Sequence, residues 1–371
     1  MVLVLIIALL FAVYSTLLVY YCYCWVQIPV FKKNSTPSHT RVSIIIPVRN
    51  EAVHIGRLIE SLLAQHYPAH LVEIIVINDN SDDDTVQIVE QYEKVKLLHL
   101  QSDSINSYKK KAVETGIQAS RGELIITTDG DCFMGPGWLA TLVSFYETNN
   151  YVYIAAPVAM RYSNRLLAVF QAYDFAVLQG ITAVAVHRRL YSMSNGANQA
   201  YSRTAFEAVG GFAGIDHIAS GDDMLLMHKI ALHYPGKAGY LLSAEAIVYT
   251  ETEHSWKAFL QQRIRWASKA GHYMDIRIKA VMLLVFLFNL CFPVLLIAGC
   301  WHPRWWLLAA LLWVGKTLAE LPFVISISRF FGMQSLLKYF FFLQPLHILY
   351  TLTAGLLGQK GQYEWKGRKV R

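Results

Sequence analysis

The chain lacks a glycine-rich phosphate cradle: neither G-x-G-x-x-G nor a P-loop occurs in its 371 residues. Any nucleotide it binds must therefore be gripped by carboxylates and a cation. Cysteine is scarce, with five residues at 22, 24, 132, 291 and 300, four in apolar stretches and none in a metal-ligand spacing. They read as small buried side chains in a reducing compartment. Charge is thin as well. Charged residues make up 16% of the chain against 54% hydrophobic, and the mean hydropathy is +0.33, too apolar for an ordinary soluble enzyme. The net charge of +7 comes without any basic-aromatic module, so attraction to anionic lipid head groups explains it better than a nucleic-acid partner.

The apolar excess is concentrated in residues 1 to 30 and from about 280 to 358. Val2 to Val26 has no positive segment before it and no small-residue cleavage pattern after it, and Lys32, Lys33 and Arg41 follow. It reads as an uncleaved membrane anchor, with the next domain on the cytoplasmic side of the cell (inner) membrane. The expected organisation is an anchor over 1–30, an α/β domain over 41–254, an amphipathic interfacial helix over 255–275, a membrane region over 280–358 and a basic tail over 359–371.

Between these apolar ends, strand and helix patterns alternate. Arg41 to Val48, Glu73 to Ile77, Lys96 to Leu100 and Glu123 to Thr128 are the strand candidates, with helical spacing after each of the first three. Alternation of this kind predicts an α/β sheet with ligand clefts at the carboxyl ends of its strands. The fourth strand runs straight into Asp129-Gly130-Asp131. If that segment stays extended, its two carboxylates point to one side and suit a hard divalent cation, Mg2+ or Mn2+; as a plain polar turn they do nothing. Asp79 stands at the end of the second strand, where such folds bind ligands, while Asp82 to Asp84 serve equally well as dipole partners of the next helix. Tyr108 to Gln118 opens with Lys109, Lys110 and Lys111 against the helix dipole; a diphosphate would favour one of them, and a solvated basic face accounts for two.

Ser43 to Glu51 (SIIIPVRNE), Val76 to Ser81 (VINDNS), Lys109 and Asp129-Gly130-Asp131, taken in order, resemble the successive motifs of family 2 glycosyltransferases with a GT-A fold, a Rossmann-like mixed sheet. The resemblance spans about residues 41 to 270. It implies a nucleotide diphosphate sugar donor, usually a UDP-sugar, held through a divalent cation. Pro47, Glu51 and Asp79 would then contact the nucleoside, Lys109 the nucleoside or phosphates, and Asp131 the metal, with Asp129 orienting the sugar or supporting the metal through water. Asn78 departs from the pattern, since many relatives carry a first Asp there. Asp222-Asp223 precedes a Leu- and Met-rich helix and by chemistry is a cap. The resemblance gives Asp223 the part of general base, with Asp222 where Glu is common.

Leu166 to Val186 is apolar but carries Gln171, Asp174 and Gln179, which suits either a helix lying on a membrane or a buried helix of the domain. Gln262-Arg263-Ile264-Arg265-Trp266 places Gln262, Arg265 and Trp266 on one helical face. This QxxRW pattern resembles that of membrane-embedded family 2 synthases and ceramide glucosyltransferases, where it helps hold the diphosphate and the acceptor; contact with lipid phosphates is the bland alternative for its arginines. Ala280 to Cys300, Trp305 to Ile325 and Lys338 to Gly358 are each about long enough to span. Three crossings would leave Lys360, Lys366, Arg368, Lys369 and Arg371 outside, against the positive-inside tendency. The third stretch, with Pro345, Lys338, Gln344 and His347, is therefore expected to be interfacial or re-entrant and the tail cytoplasmic.

These readings converge on an inverting transfer of one sugar to a membrane lipid or lipid-linked acceptor, with Arg263 and Arg265 steadying the departing diphosphate. A processive polysaccharide synthase is the rival within the enzyme class. A non-catalytic membrane module binding nucleotide sugars or lipids is the rival outside it.

Overall fold

The computed structural model describes all residues except 35–37, 102–106, 191, 219–220, 269–270, 272, 274, 360–362, 366–367 and 371, and the backbone alone at 363–365 and 368–370. Most of the basic tail thus lies outside the described side chains. The chain divides into two compact units: Pro29–Arg161, Ala185–Glu251 and Glu364–Arg371 make the sheet unit, and Met1–Ile28, Tyr162–Val184 and Thr252–Tyr363 make the helical unit.

Before the tail, the described residues of the sheet unit form ten strands: β1 Val42–Val48, β2 Val72–Asn78, β3 Val95–His99, β4 Leu124–Thr127, β5 Phe133–Met134, β6 Tyr153–Ala155, β7 Val158–Arg161, β8 Gln199–Ser202, β9 Ala238–Tyr240 and β10 Val248–Glu251. Seven form one sheet in the order β3-β2-β1-β4-β8-β6-β9, in which only β8 runs against the others. Ile44, Ile45 and Ile46 of β1 are fully buried, as a parallel strand covered on both faces requires. From β1 the order runs to β2 and β3 on one side and to β4 on the other, so the carboxyl ends of β1 and β4 meet at a topological switch point. Pairing of Ile45 with Thr127 lets β1 continue three residues past β4, alongside the Asp129 turn. A small sheet, β5-β10-β7, lies in the same unit.

The turns after β1 and β2 brace each other. Asn50 and Asn80 both take the left-handed backbone conformation that Asn tolerates. Asn50 N donates to Ser81 Oγ at 3.0 Å, and Asn50 Oδ1 accepts from Asp82 N at 3.0 Å. Asp83 completes the brace by accepting from Ala52 N at 3.0 Å and from the Thr85 amide and hydroxyl. Burial alone would raise the Asp83 carboxyl, but the Thr85 and Ala52 hydrogen bonds outweigh it and hold the group below its ordinary value. Asp83 is thus a structural residue, as the bland reading of the acidic run expects.

In the helical unit, Val2–Trp25, Leu166–His187, Ile276–Gly299, Arg304–Phe330 and Gln334–Gly358 are long and apolar enough to cross a membrane. Leu166–His187 differs from the rest, because 83% of its most apolar window is buried. Of the two readings open for it, the buried helix is the one found. Its residues 166 to 184 pack within the helical unit, so the α/β domain expected over 41–254 is interrupted there. A closed polar knot sits among the apolar helices. Glu320 takes the Lys316 ammonium at 2.6 Å together with the Tyr14 hydroxyl and the Gln344 amide, and all four side chains are buried.

Candidate active site

β4 ends at Thr127, and Thr128 N still reaches Ile45 O at 3.3 Å before the chain turns. The turn closes with Cys132 N on Asp129 O at 3.2 Å, so Asp129 to Asp131 is not extended. The same-side projection expected from an extended segment is corrected: Asp129 and Asp131 point to different partners. Gly130 makes this turn fit, since a Cβ there would stand 2.9 Å from Glu51 Cγ and 3.0 Å from Val48 Cγ1. Glu51, on the loop after β1, thereby packs against the turn itself.

Asp129 Oδ1 lies 2.7 Å from the Lys109 ammonium, which also lies 3.0 Å from Asp222 Oδ2. One lysine, from the helix Tyr108–Gln118, thus joins the end of β4 to the Asp222-Asp223 pair. Burial lowers the affinity of Lys109 for its proton, but Asp129, Asp222 and then Asp223 outweigh it and hold the ammonium well above its ordinary range. Of the other two lysines, Lys111 keeps a side chain 43% exposed, as a solvated face expects, and Lys110 does not. Lys110 is buried with its ammonium on the carbonyls of Ile215 and Ile218, and Lys111 pairs with Glu114 at 2.9 Å.

Asp223 caps the helix Met224–His233, accepting from Met224 N at 2.7 Å through Oδ1. Its Oδ2 accepts from Gly196 N at 3.3 Å. Gly196 brings the cluster together, because a Cβ there would meet Lys109 Nζ at 2.9 Å and Asp222 Oδ2 at 3.0 Å. The turn carrying Gly196 is fixed by Asn198, fully buried, whose amide donates to the carbonyls of Pro157 and Ala246 and accepts from the Trp138 indole at 3.0 Å.

Asp131 is half-buried and accepts from the Thr250 hydroxyl of β10 at 2.7 Å through Oδ2, while Oδ1 meets only the weak Cys132 thiol at 3.7 Å. Among the described residues no three His, Cys, Asp or Glu side chains converge into a metal cage. A carboxylate with one weakly engaged oxygen, next to a second carboxylate, fits a divalent cation that draws its remaining ligands from phosphates. Asp79 is buried after β2; its amide reaches Val48 O at 2.8 Å and its carbonyl accepts from Arg49 at 2.8 Å. Pro47 lies on β1 opposite Ile77 of β2. Glu51, Asp79, Lys109, Asp129, Asp131, Asp222 and Asp223 all belong to the sheet unit. Gly196, Asn198 and Thr250 complete the cluster and carry no sequence signal beyond an Asn-Gly turn and an ordinary strand.

Gln262, Arg263, Arg265 and Trp266 belong to the helical unit, on the helix Trp256–Ser268. Gln262 donates to Glu253 Oε1 at 3.1 Å, and Arg265 and Trp266 are half-buried. Arg263 differs. Its side chain is 3% exposed, its guanidinium lies 2.9 Å from Asp174 Oδ2, and it stands over the Trp266 ring at 4.3 Å. A guanidinium paired and enclosed in this way presents no open face to a diphosphate.

Comparison with known proteins agrees with this geometry. Residues 43–210 match the family described as Glycosyl transferase family 2. The probable glycosyltransferase YdaM of Bacillus subtilis is 26% identical over 266 residues, 68% of this chain and 60% of its own length. The dolichyl-phosphate beta-glucosyltransferase ALG5C of Trichomonas vaginalis is 34% identical over 103 residues, 26% of this chain and 31% of its own. The mannosyltransferase PcManGT from Pyrobaculum calidifontis, solved in complex with GDP-Man and Mn2+, shares the fold with a TM-score of 0.55, at 17% identity over 95% of this chain and 99% of that one. The chain therefore spans less than two thirds of the length of these curated relatives, and its sheet unit has the mixed α/β architecture of the GT-A fold.

Proposed function

We propose that this protein is an inverting glycosyltransferase that moves a sugar from a nucleotide diphosphate sugar, of the uridine type, to a lipid or lipid-linked acceptor at the cytoplasmic face of the cell membrane. The observation that carries this reading is the Lys109 ammonium held between Asp129 and Asp222 at the switch point of the sheet, with Asp223 beside it. Such an arrangement sets a fixed positive charge and a base next to each other where a sheet of this kind binds ligands.

In a single displacement the acceptor oxygen attacks the anomeric carbon. The bond from that carbon to the diphosphate breaks with its electron pair on the diphosphate, and one inversion results. Asp223 takes the acceptor proton, aided by the fixed orientation its cap to Met224 N gives it. Lys109 offsets the charge that grows on the leaving group. A divalent cation, Mg2+ or Mn2+, held by Asp131 and supported by Asp129 would supply further neutralisation of the diphosphate when bound. Pro47, Glu51 and Asp79 line the nucleoside end at the tips of β1 and β2.

Membrane placement is supported by the outer faces of the apolar helices, where Leu5, Leu9 and Val19 are between 62% and 66% exposed and suit a hydrocarbon solvent. The relative from Trichomonas, named for a dolichyl-phosphate acceptor, supports an acceptor of lipid character. The last apolar helix lies beside the amphipathic one: Tyr350 meets the Phe259 ring at 5.5 Å, and eight residues later on both, Gly358 meets Ala267. Running alongside a helix of interfacial character favours an interfacial or re-entrant course for Phe340–Gly358, which returns the basic tail to the cytoplasmic side. Incubation of the full chain with a panel of nucleotide sugars and a membrane lipid extract, followed by mass spectrometry, tests the proposal. One glycolipid carrying one added sugar is the expected product; a polymer ladder points to a processive synthase, and no product with any donor rejects the transferase reading.

A further inference from the structure

The helix Leu166–His187 reads from sequence as an apolar segment marred by polar residues. Two of those residues, Gln171 and Asp174, are buried and lie three positions apart on one helical face. The Gln171 amide makes a paired bond with the backbone of Glu253, donating to Glu253 O at 2.9 Å and accepting from Glu253 N at 2.9 Å. Glu253 in turn holds Gln262 at 3.1 Å. One turn further along, Asp174 takes Arg263 on Oδ2 at 2.9 Å and the Tyr350 hydroxyl on Oδ1 at 2.5 Å. Arg263 stands over the rings of Trp266 at 4.3 Å and Phe259 at 4.9 Å, its neighbours at three and four positions on the same helix.

We propose that Gln171 and Asp174 are positioning residues, which through Glu253 and Arg263 fix the helix Trp256–Ser268 at two points and so hold Gln262, Arg265 and Trp266 in one orientation on it. Arg263 belongs to this clamp and does not touch substrate. Its charge is matched by Asp174, so no further anion is required there, and its planar face is taken by aromatic rings. Lysine cannot reproduce that arrangement, because an ammonium has neither the flat face for stacking nor the fork that reaches a carboxylate from between rings. The roles of Gln262, Arg265 and Trp266 rest on the proposed transferase reading, whereas the clamp is a claim about the helix and is measured without a donor.

The test uses the full chain in lipid nanodiscs, comparing wild type with Asp174→Asn, Gln171→Leu, Arg263→Lys and Arg265→Lys. Hydrogen exchange over residues 256–268 reads the clamp directly. Asp174→Asn and Arg263→Lys are expected to speed exchange there about tenfold, leaving β1 and β4 unchanged, since a loosened local contact opens a local segment. UDP titration and turnover on the lipid extract are then measured on the same samples. Asp174→Asn and Arg263→Lys should keep UDP affinity within about twofold while turnover per folded molecule falls about tenfold, whereas Arg265→Lys should weaken UDP affinity. Unchanged exchange in Asp174→Asn overturns the clamp. A UDP affinity lost in Arg263→Lys as in Arg265→Lys makes Arg263 a substrate contact instead, and accelerated exchange with undiminished turnover reduces the clamp to a stabilising role. Should wild type bind no nucleoside diphosphate, the transferase reading fails while the exchange result still decides the clamp.

Discussion

A Cβ added to Gly196 would stand 2.9 Å from the Lys109 ammonium, so the Asn195-Gly196 turn and the start of the helix Tyr108–Gln118 touch through a position only glycine fills without displacement. Gly196→Ala is expected to push Lys109 off the Asp129-Asp222 line, and turnover should fall by about tenfold to a hundredfold with little change in melting temperature. Gly135→Ala is the control, since a Cβ there meets nothing within 4 Å. Equal turnover in both variants would show that the Lys109 placement is not needed.

Removing the cation itself tests the same cluster differently. Lys109→Met takes the ammonium away from the buried Asp222 and from Asp129, whose side chain is 35% exposed. Loss of one partner from a buried pair costs about 3 kcal/mol at the lower end, the end that applies where one carboxylate is partly wetted. Thermal unfolding at neutral pH should shift down accordingly. Because the folded ammonium is held well above its ordinary range, its contribution is complete below the normal lysine pKa and persists through mildly alkaline pH. A gap between wild type and Lys109→Met that closed between pH 8 and pH 10 would contradict the assignment.

Asp83 gives the opposite sign. Its carboxyl is held below the ordinary value, so the stability it contributes is present above the unfolded carboxylate pKa and is lost as pH falls through the folded one. Asp83→Asn should melt earlier than wild type at neutral pH, by about 1 kcal/mol for hydrogen bonds to a partly exposed charge. The gap should begin to close as pH falls below about 4, the ordinary carboxylate value, and vanish once pH passes the lower folded one. A gap that stays constant down to pH 3 would mean that packing rather than charge carries the effect.

How much of this was legible in the sequence depends on the distance over which each residue acts. β1, β2 and β4 are parallel strands buried on both faces, so their apolar runs announce them, and Asp79 and Asp129 follow by standing at their ends. The Asp129-Gly130-Asp131 segment posed a choice between turn and chemistry that the structure dissolves. It is a turn, and turning is what sends Asp129 to Lys109 and Asp131 to Thr250. Gly196, Asn198 and Thr250 were not legible as site residues, because each acts through a contact with a distant part of the chain. Gln171 and Asp174 left a membrane-surface helix and a buried helix equally open for the same reason: composition records that a polar group is present, while burial against Glu253 and Arg263 is set by the tertiary arrangement.

The course of the last helix can be checked through its end. A Cβ on Gly358 would meet the Ala267 Cβ at 2.7 Å and backbone atoms at 3.0 Å and 3.1 Å, and backbone cannot give way cheaply. Gly358→Leu should therefore loosen the packing of Phe340–Gly358 on Trp256–Ser268, seen as faster protease cleavage near the tail. In vesicles of known orientation, a tag after Arg371 should be cut from the cytoplasmic face. Protection from that face would establish an odd number of crossings and overturn the interfacial course proposed for this helix.

The account rests most directly on Asp223, the cap of Met224–His233 proposed to take the acceptor proton. Asparagine keeps the shape and the acceptor oxygen for the cap but cannot take a proton. Transfer by Asp223→Asn and by wild type should be measured on the lipid extract with the donor that wild type uses, together with UDP affinity by calorimetry. The predicted result is turnover reduced by about 100- to 10,000-fold with UDP affinity within about twofold of wild type. Turnover close to wild type would contradict the base assignment, and with it the mechanism built on the Lys109 cluster.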